Sequence, residues 1–382
     1  MVADRAYLKG ARIGAPLARL EAEVARILAV LGSTGAMRVE PAALQPADLM
    51  LDLYGEDIRA RAFVTADEGA ELMLRPDFTL PIVRLHMEAG AEPARYVYCG
   101  PVWRRQEFGT DRPREYLQAG LEIFEGGDPA AADAEVLDLV TRALGDAPVD
   151  LVVGDLGLAF AVIDALDTSA ARRMALRRHV WRPARFRTLL DRYGEGHAAA
   201  TARRAALLAA EADRRTPAMV AAAGAPVGLR SPAEVAERVT ALALEARTAP
   251  LDPGAVARIE AVLAVAGTAG DALGELRSLA RGLAPLGAAV DRLAARLDAL
   301  ARRGIDPGRL RFEASFGRTS LEYYDGLVFG ALPRGRPDLP PIASGGRYDA
   351  LTRALGHGRA IPAVGGMLRP EALAALREGG EW

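Results

Sequence analysis

From Tyr116 to Phe124 the chain alternates. Tyr116, Gln118, Gly120, Glu122 and Phe124 share one face, and Leu117, Ala119, Leu121 and Ile123 share the other, because side chains two apart in a strand point the same way. The second face reads as core. The first carries a polar pair, Gln118 and Glu122, beside a glycine that leaves room, which suits the floor of a small polar-ligand site. An ordinary half-buried antiparallel strand with a wet polar face has the same pattern. Upstream, Tyr96 to Tyr98 reads as a short β run that Gly100-Pro101 breaks. Trp103, Arg104, Arg105 and a loop rich in Gly, Asp, Arg and Pro follow. Two antiparallel strands joined by a basic loop, with an Arg on the first, suit an anion held over a sheet. The planar Arg fork pairs bidentately with carboxylate or phosphate.

Helical periodicity marks the N-terminal region. Pro16 opens a helix in which Leu17, Leu20, Val24, Ile27, Leu28 and Leu31 follow helical spacing, and Gly32 ends it. A second helix is predicted from about Ala130 to Leu144, then a buried strand at Val149–Val153. Between about Thr168 and Gly304, Ala, Arg, Leu and Glu dominate and aromatics nearly vanish after Tyr193, which predicts a helical subdomain. Pro183, Pro217, Pro226, Pro232, Pro250 and Pro253 cut it into short helices. Its Arg residues alternate with acids and Ala and read as a solvated face. β character returns at Leu310–Phe316 and Leu327–Phe329. The fold class is α+β: an antiparallel sheet with flanking helices, residues 1–167 and 305–382, interrupted by a helical insertion at 168–304.

Composition narrows the function. The 382 residues are 51% hydrophobic with a formal net charge of −2, so the overall basic footprint of a nucleic-acid binder is absent. The single cysteine, Cys99, excludes an internal disulfide and reads as a small buried residue. His86, His179, His197 and His357 show no metal-ligand spacing, so no metal and no cofactor are expected. No apolar run reaches the length of a membrane span, and no signal-peptide core opens the chain. A soluble cytoplasmic protein without a membrane partner is the expectation.

Several segments carry a resemblance. RYVYCGPVWRRQEFGTDRPREYLQAGLEIFEG (Arg95–Gly126) resembles motif 2 of class II aminoacyl-tRNA synthetases of the histidyl type. LRPDFT (Leu74–Thr79), LEYYDGLVF (Leu321–Phe329), GGRYDAL (Gly345–Leu351) and PAVGGMLRPEAL (Pro362–Leu373) resemble further segments of that family, in the same order. The resemblance implies a class II synthetase-like core whose first helix belongs to the dimer-forming part. It also implies a histidine pocket. Asp77 stands where the family has a Glu for the amino group, with Thr79 two residues on. Arg104 matches the motif 2 Arg that holds the carboxylate, Gln118 and Glu122 match the polar pair of the next strand, and Tyr324 and Tyr348 line the imidazole side. A zwitterion needs acids for its ammonium and an Arg for its carboxylate.

The ATP half departs from the family. The Glu after the motif 2 Arg is Gln106. The Arg that stabilises charge during adenylation is Thr319, with Arg318 off by one and, in a strand, on the opposite face. The motif 3 Arg falls at Ala372, and Arg369 lies one helical turn earlier. Losing one such donor costs about a hundredfold or more in rate. After motif 3 the sequence runs out at Trp382, with nothing to serve as an anticodon-binding domain, so neither tRNA binding nor aminoacylation is expected.

A kept histidine pocket without the ATP grip is similar to the regulatory subunits of ATP phosphoribosyltransferase in histidine biosynthesis. That resemblance implies a short-form catalytic subunit as partner, with the chain activating it and mediating feedback inhibition by histidine. It implies a homodimer within a hetero-oligomer. Histidine would bind either in the synthetase-like pocket or at the subunit interface. The alternatives are a truncated histidine-activating synthetase and a free-standing histidine sensor or scaffold.

Overall fold

The computed structural model describes residues 11–48, 58–67, 69–106, 112–194, 230–319, 322–356 and 359–379, with isolated positions between 202 and 224. Residues 107–111 of the basic loop, Ser320, Leu321, His197, His357, Pro217, Pro226 and Trp382 lie outside the described residues.

Nine strands build the main sheet: β1 (Met37–Arg38), β5 (Ala94–Trp103), β6 (Glu115–Phe124), β7 (Val149–Asp155), β8 (Ala266–Thr268), β9 (Arg311–Glu313), β10 (Leu327–Pro333), β11 (Ala343–Arg347) and β12 (Ala363–Leu368). Their order is β1-β5-β6-β12-β11-β10-β7-β9-β8. Only the β1–β5 and β7–β9 pairs run parallel. A smaller antiparallel sheet joins β2 (Leu44–Pro46), β3 (Val64–Asp67) and β4 (Ala70–Leu74). The helices are α1 (Ala15–Leu31), α2 (Thr79–Ala89), α3 (Pro129–Leu144), α4 (Leu156–Asp164), α5 (Ala170–Arg178), α6 (Pro183–Tyr193), α7 (Pro232–Arg247), α8 (Pro253–Ala264), α9 (Ala269–Leu279), α10 (Ala284–Arg302), α11 (Asp349–Leu355) and α12 (Pro370–Glu378). The α+β expectation holds. No helix of the described residues is long and apolar enough to cross a membrane.

Local chemistry explains most boundaries. Pro16 sits in the first turn of α1, where a missing N–H costs nothing. Asp128 caps α3 by accepting from the Ala131 N–H. Ser231 and Glu234 form a reciprocal capping box on α7.

Two expectations fail. Gly100-Pro101 does not break the strand, because β5 runs on to Trp103. The Val97 carbonyl and the Trp103 N–H both bond away from β6, to Val39 and Arg75. Pro101 shares that parity, so its missing N–H falls outside the β5–β6 ladder. The β character at 310–316 is confined to β9, and residues 314–319 are turns. Within 168–304, β8 joins the sheet edge through β9.

The alternation in β6 divides the core. Ala119, Leu121 and Ile123 join Phe329 and Val364 against Ile27 of α1, Val136 of α3 and Leu297 of α10. On the other face Tyr96, Tyr98, Tyr116 and Phe124 pack with Phe78, with Leu156 of α4 and with Leu176, Phe186 and Leu190 of α5 and α6. Each such side chain contributes about 1.5–3 kcal/mol by leaving water. Both faces of β6 are buried, so its polar pair is not wet.

Candidate functional site

Strand register assembles the site. Glu122 pairs with Gly365 and Gly120 with Met367 across β6–β12. Met367 pairs with Ser344 on β11, and Tyr98 on β5 pairs with Gly120. These side chains therefore share the face that carries the aromatic core. Asp77 and Thr79 approach from the start of α2, Arg104 from the end of β5, and Tyr323 and Tyr324 from the segment before β10. They enclose a cavity of about 320 Å³ including its mouth. All seven residues singled out for histidine line it: Asp77, Thr79, Arg104, Gln118, Glu122, Tyr324 and Tyr348.

Glu122 is the hub. It is 1% exposed. Its Oε1 accepts from the Thr79 hydroxyl at 2.8 Å and the Tyr98 hydroxyl at 3.4 Å, and its Oε2 accepts from the Tyr348 hydroxyl. A Cβ on Gly365 would overlap Oε2, so glycine is what admits the carboxyl. Burial pushes the Glu122 pKa up to about 8, and nearby Asp77 adds to this against the hydrogen bonds. Burial and the Glu122 charge raise Tyr98, Tyr324 and Tyr348 as well, so all three remain hydroxyls.

Gln118 differs from its neighbours. It is also 1% exposed, yet both ends of its amide lack a hydrogen-bond partner among the described residues. Asp77 Oδ1 accepts from the Thr79 N–H at 3.1 Å. Arg104 is anchored by its Nε on the Pro76 carbonyl at 2.9 Å.

The residues flanking Tyr348 in sequence are anchored in a network of mostly buried charges. Arg347 donates to Asp133 at 3.0 and 2.6 Å and to Asp349 at 3.0 Å. Arg296 donates to Asp133 at 2.6 Å and to Asp155 at 2.5 Å. The Asp325 carboxylate accepts from the Asp349 and Ala350 N–H groups and so caps α11. Burial and Asp349 raise Asp325 to about 6.

Sequence reasoning missed Tyr98, Tyr323, Ser344, Gly365, Gly366 and Met367. Tyr98 corrects one reading directly. The room left by Gly120 is taken by the Tyr98 hydroxyl, not kept for a ligand. A Tyr in alternation with Tyr96 was the available signal, but its target depends on cross-strand register.

None of the positions that depart from the synthetase pattern lines the cavity. Gln106 donates to the Pro113 carbonyl at 3.0 Å. Thr319 is exposed, and Ala372 is fully buried in the core. Arg318 sits in a turn, not the expected strand. It points to α5–α6, donating to the Val180 carbonyl at 2.8 Å over the Phe186 ring. Arg369 precedes α12, buried over Tyr116, and donates to the Pro341 carbonyl.

Among the described residues no cluster of His, Cys, Asp and Glu could hold a metal. His86 is a core histidine, stacked on Phe124 at 3.9 Å, and burial lowers its pKa to about 4. Cys99 is half-buried rather than buried, and burial pushes its thiol up to about 11.

The histidyl-tRNA synthetase family model matches residues 15–249 and 233–373. The ATP phosphoribosyltransferase regulatory subunit of Mesorhizobium japonicum is 35% identical over 94% of this chain and 98% of its own length. A crystal structure titled ATP phosphoribosyltransferase regulatory subunit/histidyl-tRNA synthetase, from Bacillus halodurans, superposes with a TM-score of 0.68 at 21% identity, covering 97% of this chain and 82% of that one. A histidine–tRNA ligase subunit from Alicyclobacillus acidocaldarius gives 0.58 at 26% identity, covering 98% and 97%. The chain thus belongs to the histidyl-tRNA synthetase-like proteins, in the family of ATP phosphoribosyltransferase regulatory subunits.

Proposed function

We propose that this chain is a non-catalytic subunit that binds L-histidine in the cavity, activates a short ATP phosphoribosyltransferase catalytic subunit and carries its feedback inhibition. One observation carries the reading: the Gln118 amide is buried against the cavity with neither end partnered among the described residues. A buried polar group left so costs about 1–3 kcal/mol. A zwitterion offers the donors and acceptors that remove this cost. Asp77, Thr79 and the Gln118 amide oxygen take the ammonium, Arg104 and the Gln118 amide N–H the carboxylate, and Glu122 with Tyr324 and Tyr348 the imidazole. A neutral Glu122 donates to an unprotonated ring nitrogen, and an ionised one accepts from a ring N–H.

Aminoacylation is absent on this reading, since Thr319 and Ala372 supply no guanidinium and Arg318 is turned to α5–α6. Regulation follows from affinity. Histidine inhibits to the extent that it binds one state of the complex more tightly than the other. Exposed Ile13 before α1, Leu17 on α1 and Met37 on edge strand β1 favour a second copy of the chain covering them.

Steady-state rates of the catalytic subunit test this. Adding the chain raises the rate, and L-histidine then lowers it. With Glu122→Ala the activation persists and the inhibition is lost. Histidine-dependent exchange of pyrophosphate into ATP by the chain alone refutes the non-catalytic reading.

A further inference from the structure

We infer that the α5–α6 helix pair is the surface on which the pocket acts outward, docking an acidic face of the catalytic subunit. This rests on the reading that the chain serves that enzyme. Residues 170–193 hold eight arginines and one acid, Asp191, in a chain whose formal net charge is −2. The local excess is thus the reverse of the whole. Some of it is used internally: Arg172 holds Glu245, Arg177 pairs with Asp164, and Arg187 with Glu260. Arg178, Arg185 and Arg192 are exposed, and no ion pair engages them among the described residues. Arg185 and Arg192 lie two turns apart on one face of α6, and Arg178 ends α5.

The composition suits a protein partner. Met174 on α5 is 66% exposed, and Arg with Met is the mixture enriched at protein interfaces. Phe186 and Tyr193 are buried, so they offer no platform for stacked bases.

The pair is also tied to the pocket wall. Arg182, just before α6, donates to Glu322 at 3.0 Å, next to the pocket-lining Tyr323 and Tyr324. Arg318, from the turn leading into that segment, donates to the Val180 carbonyl between the helices. Leu176, Val180, Phe186 and Leu190 share one apolar cluster with Tyr98, Tyr324 and Tyr348. A ligand that shifts the tyrosines thus has a contiguous packed path to the helices carrying the charge.

The test measures affinity for the purified short catalytic subunit at low and high salt, using the full chain. Wild type binds and weakens with salt. Arg178→Glu with Arg185→Glu and Arg192→Glu loses about tenfold or more and most of the salt dependence. The matching Gln set falls between, and serves if the reversed set fails to fold. Glu322→Gln, which releases Arg182, reduces the change in subunit affinity that L-histidine causes. Wild-type affinity and salt dependence in the Glu set overturn the docking surface, as does loss of binding only to a single-stranded RNA. An unaltered histidine effect in Glu322→Gln overturns the coupling. Failure of wild type to bind the subunit at any salt refutes the regulatory reading itself.

Discussion

Glu122→Gln separates a buried carboxyl that stays protonated from one that is charged. Burial opposes the Glu122 charge and nearby Asp77 adds to this, pushing its pKa from 4.5 up to about 8. The unfolded chain releases this proton near 4.5. Between the two values the folded protein keeps a proton that the unfolded chain has lost. Stability therefore falls as pH rises from 4.5 toward 8 and levels off beyond. At about 1.36 kcal/mol per pH unit, the loss accumulated by pH 7 is about 3 kcal/mol. Glutamine keeps the shape and stays neutral, so the variant lacks this decline. Urea unfolding of both proteins across this range reads the difference. The variant gains on the wild type by about 3 kcal/mol between pH 4.5 and pH 7, whatever its offset at pH 4.5. Parallel curves would refute the claim that Glu122 is held neutral by burial.

Other variants probe the neighbours. Gln118→Leu removes an unpartnered buried amide, so unfolding shows ligand-free stability raised by about 1–3 kcal/mol, while calorimetry shows histidine binding weakened about tenfold or more. Gly365→Ala puts a methyl where Glu122 Oε2 sits, and titration shows histidine binding lost. Arg296→Met leaves Asp133 and Asp155 without their shared cation, costing about 3–5 kcal/mol in urea unfolding.

Local rules located the parts of this site better than their neighbours. Alternation alone placed Gln118 and Glu122 on one face of β6, because side-chain parity in a strand is a local property. The resemblance supplied Asp77, Thr79, Arg104, Tyr324 and Tyr348, and the fold brings all of them to one cavity. Tyr98 was not legible because its contact with Glu122 follows from which residue of β5 faces Gly120. Ser344 and Met367 depend likewise on β12 inserting between β6 and β11, a pairing of segments far apart in sequence. Pro101 misled because the side of a strand that goes unpaired is set by the neighbouring chain, not by the proline. Arg318 departs from the expectation because the chain turns at 314–319, where strand parity does not apply.

Isothermal titration of L-histidine into the isolated chain, alongside Glu122→Ala, asks whether the cavity is a working histidine site. The expected result is saturable binding of one histidine per chain to wild type and none to the variant. Absence of binding to wild type, or equal binding to both, would contradict a working histidine pocket and move the sensing site to the subunit interface or the partner.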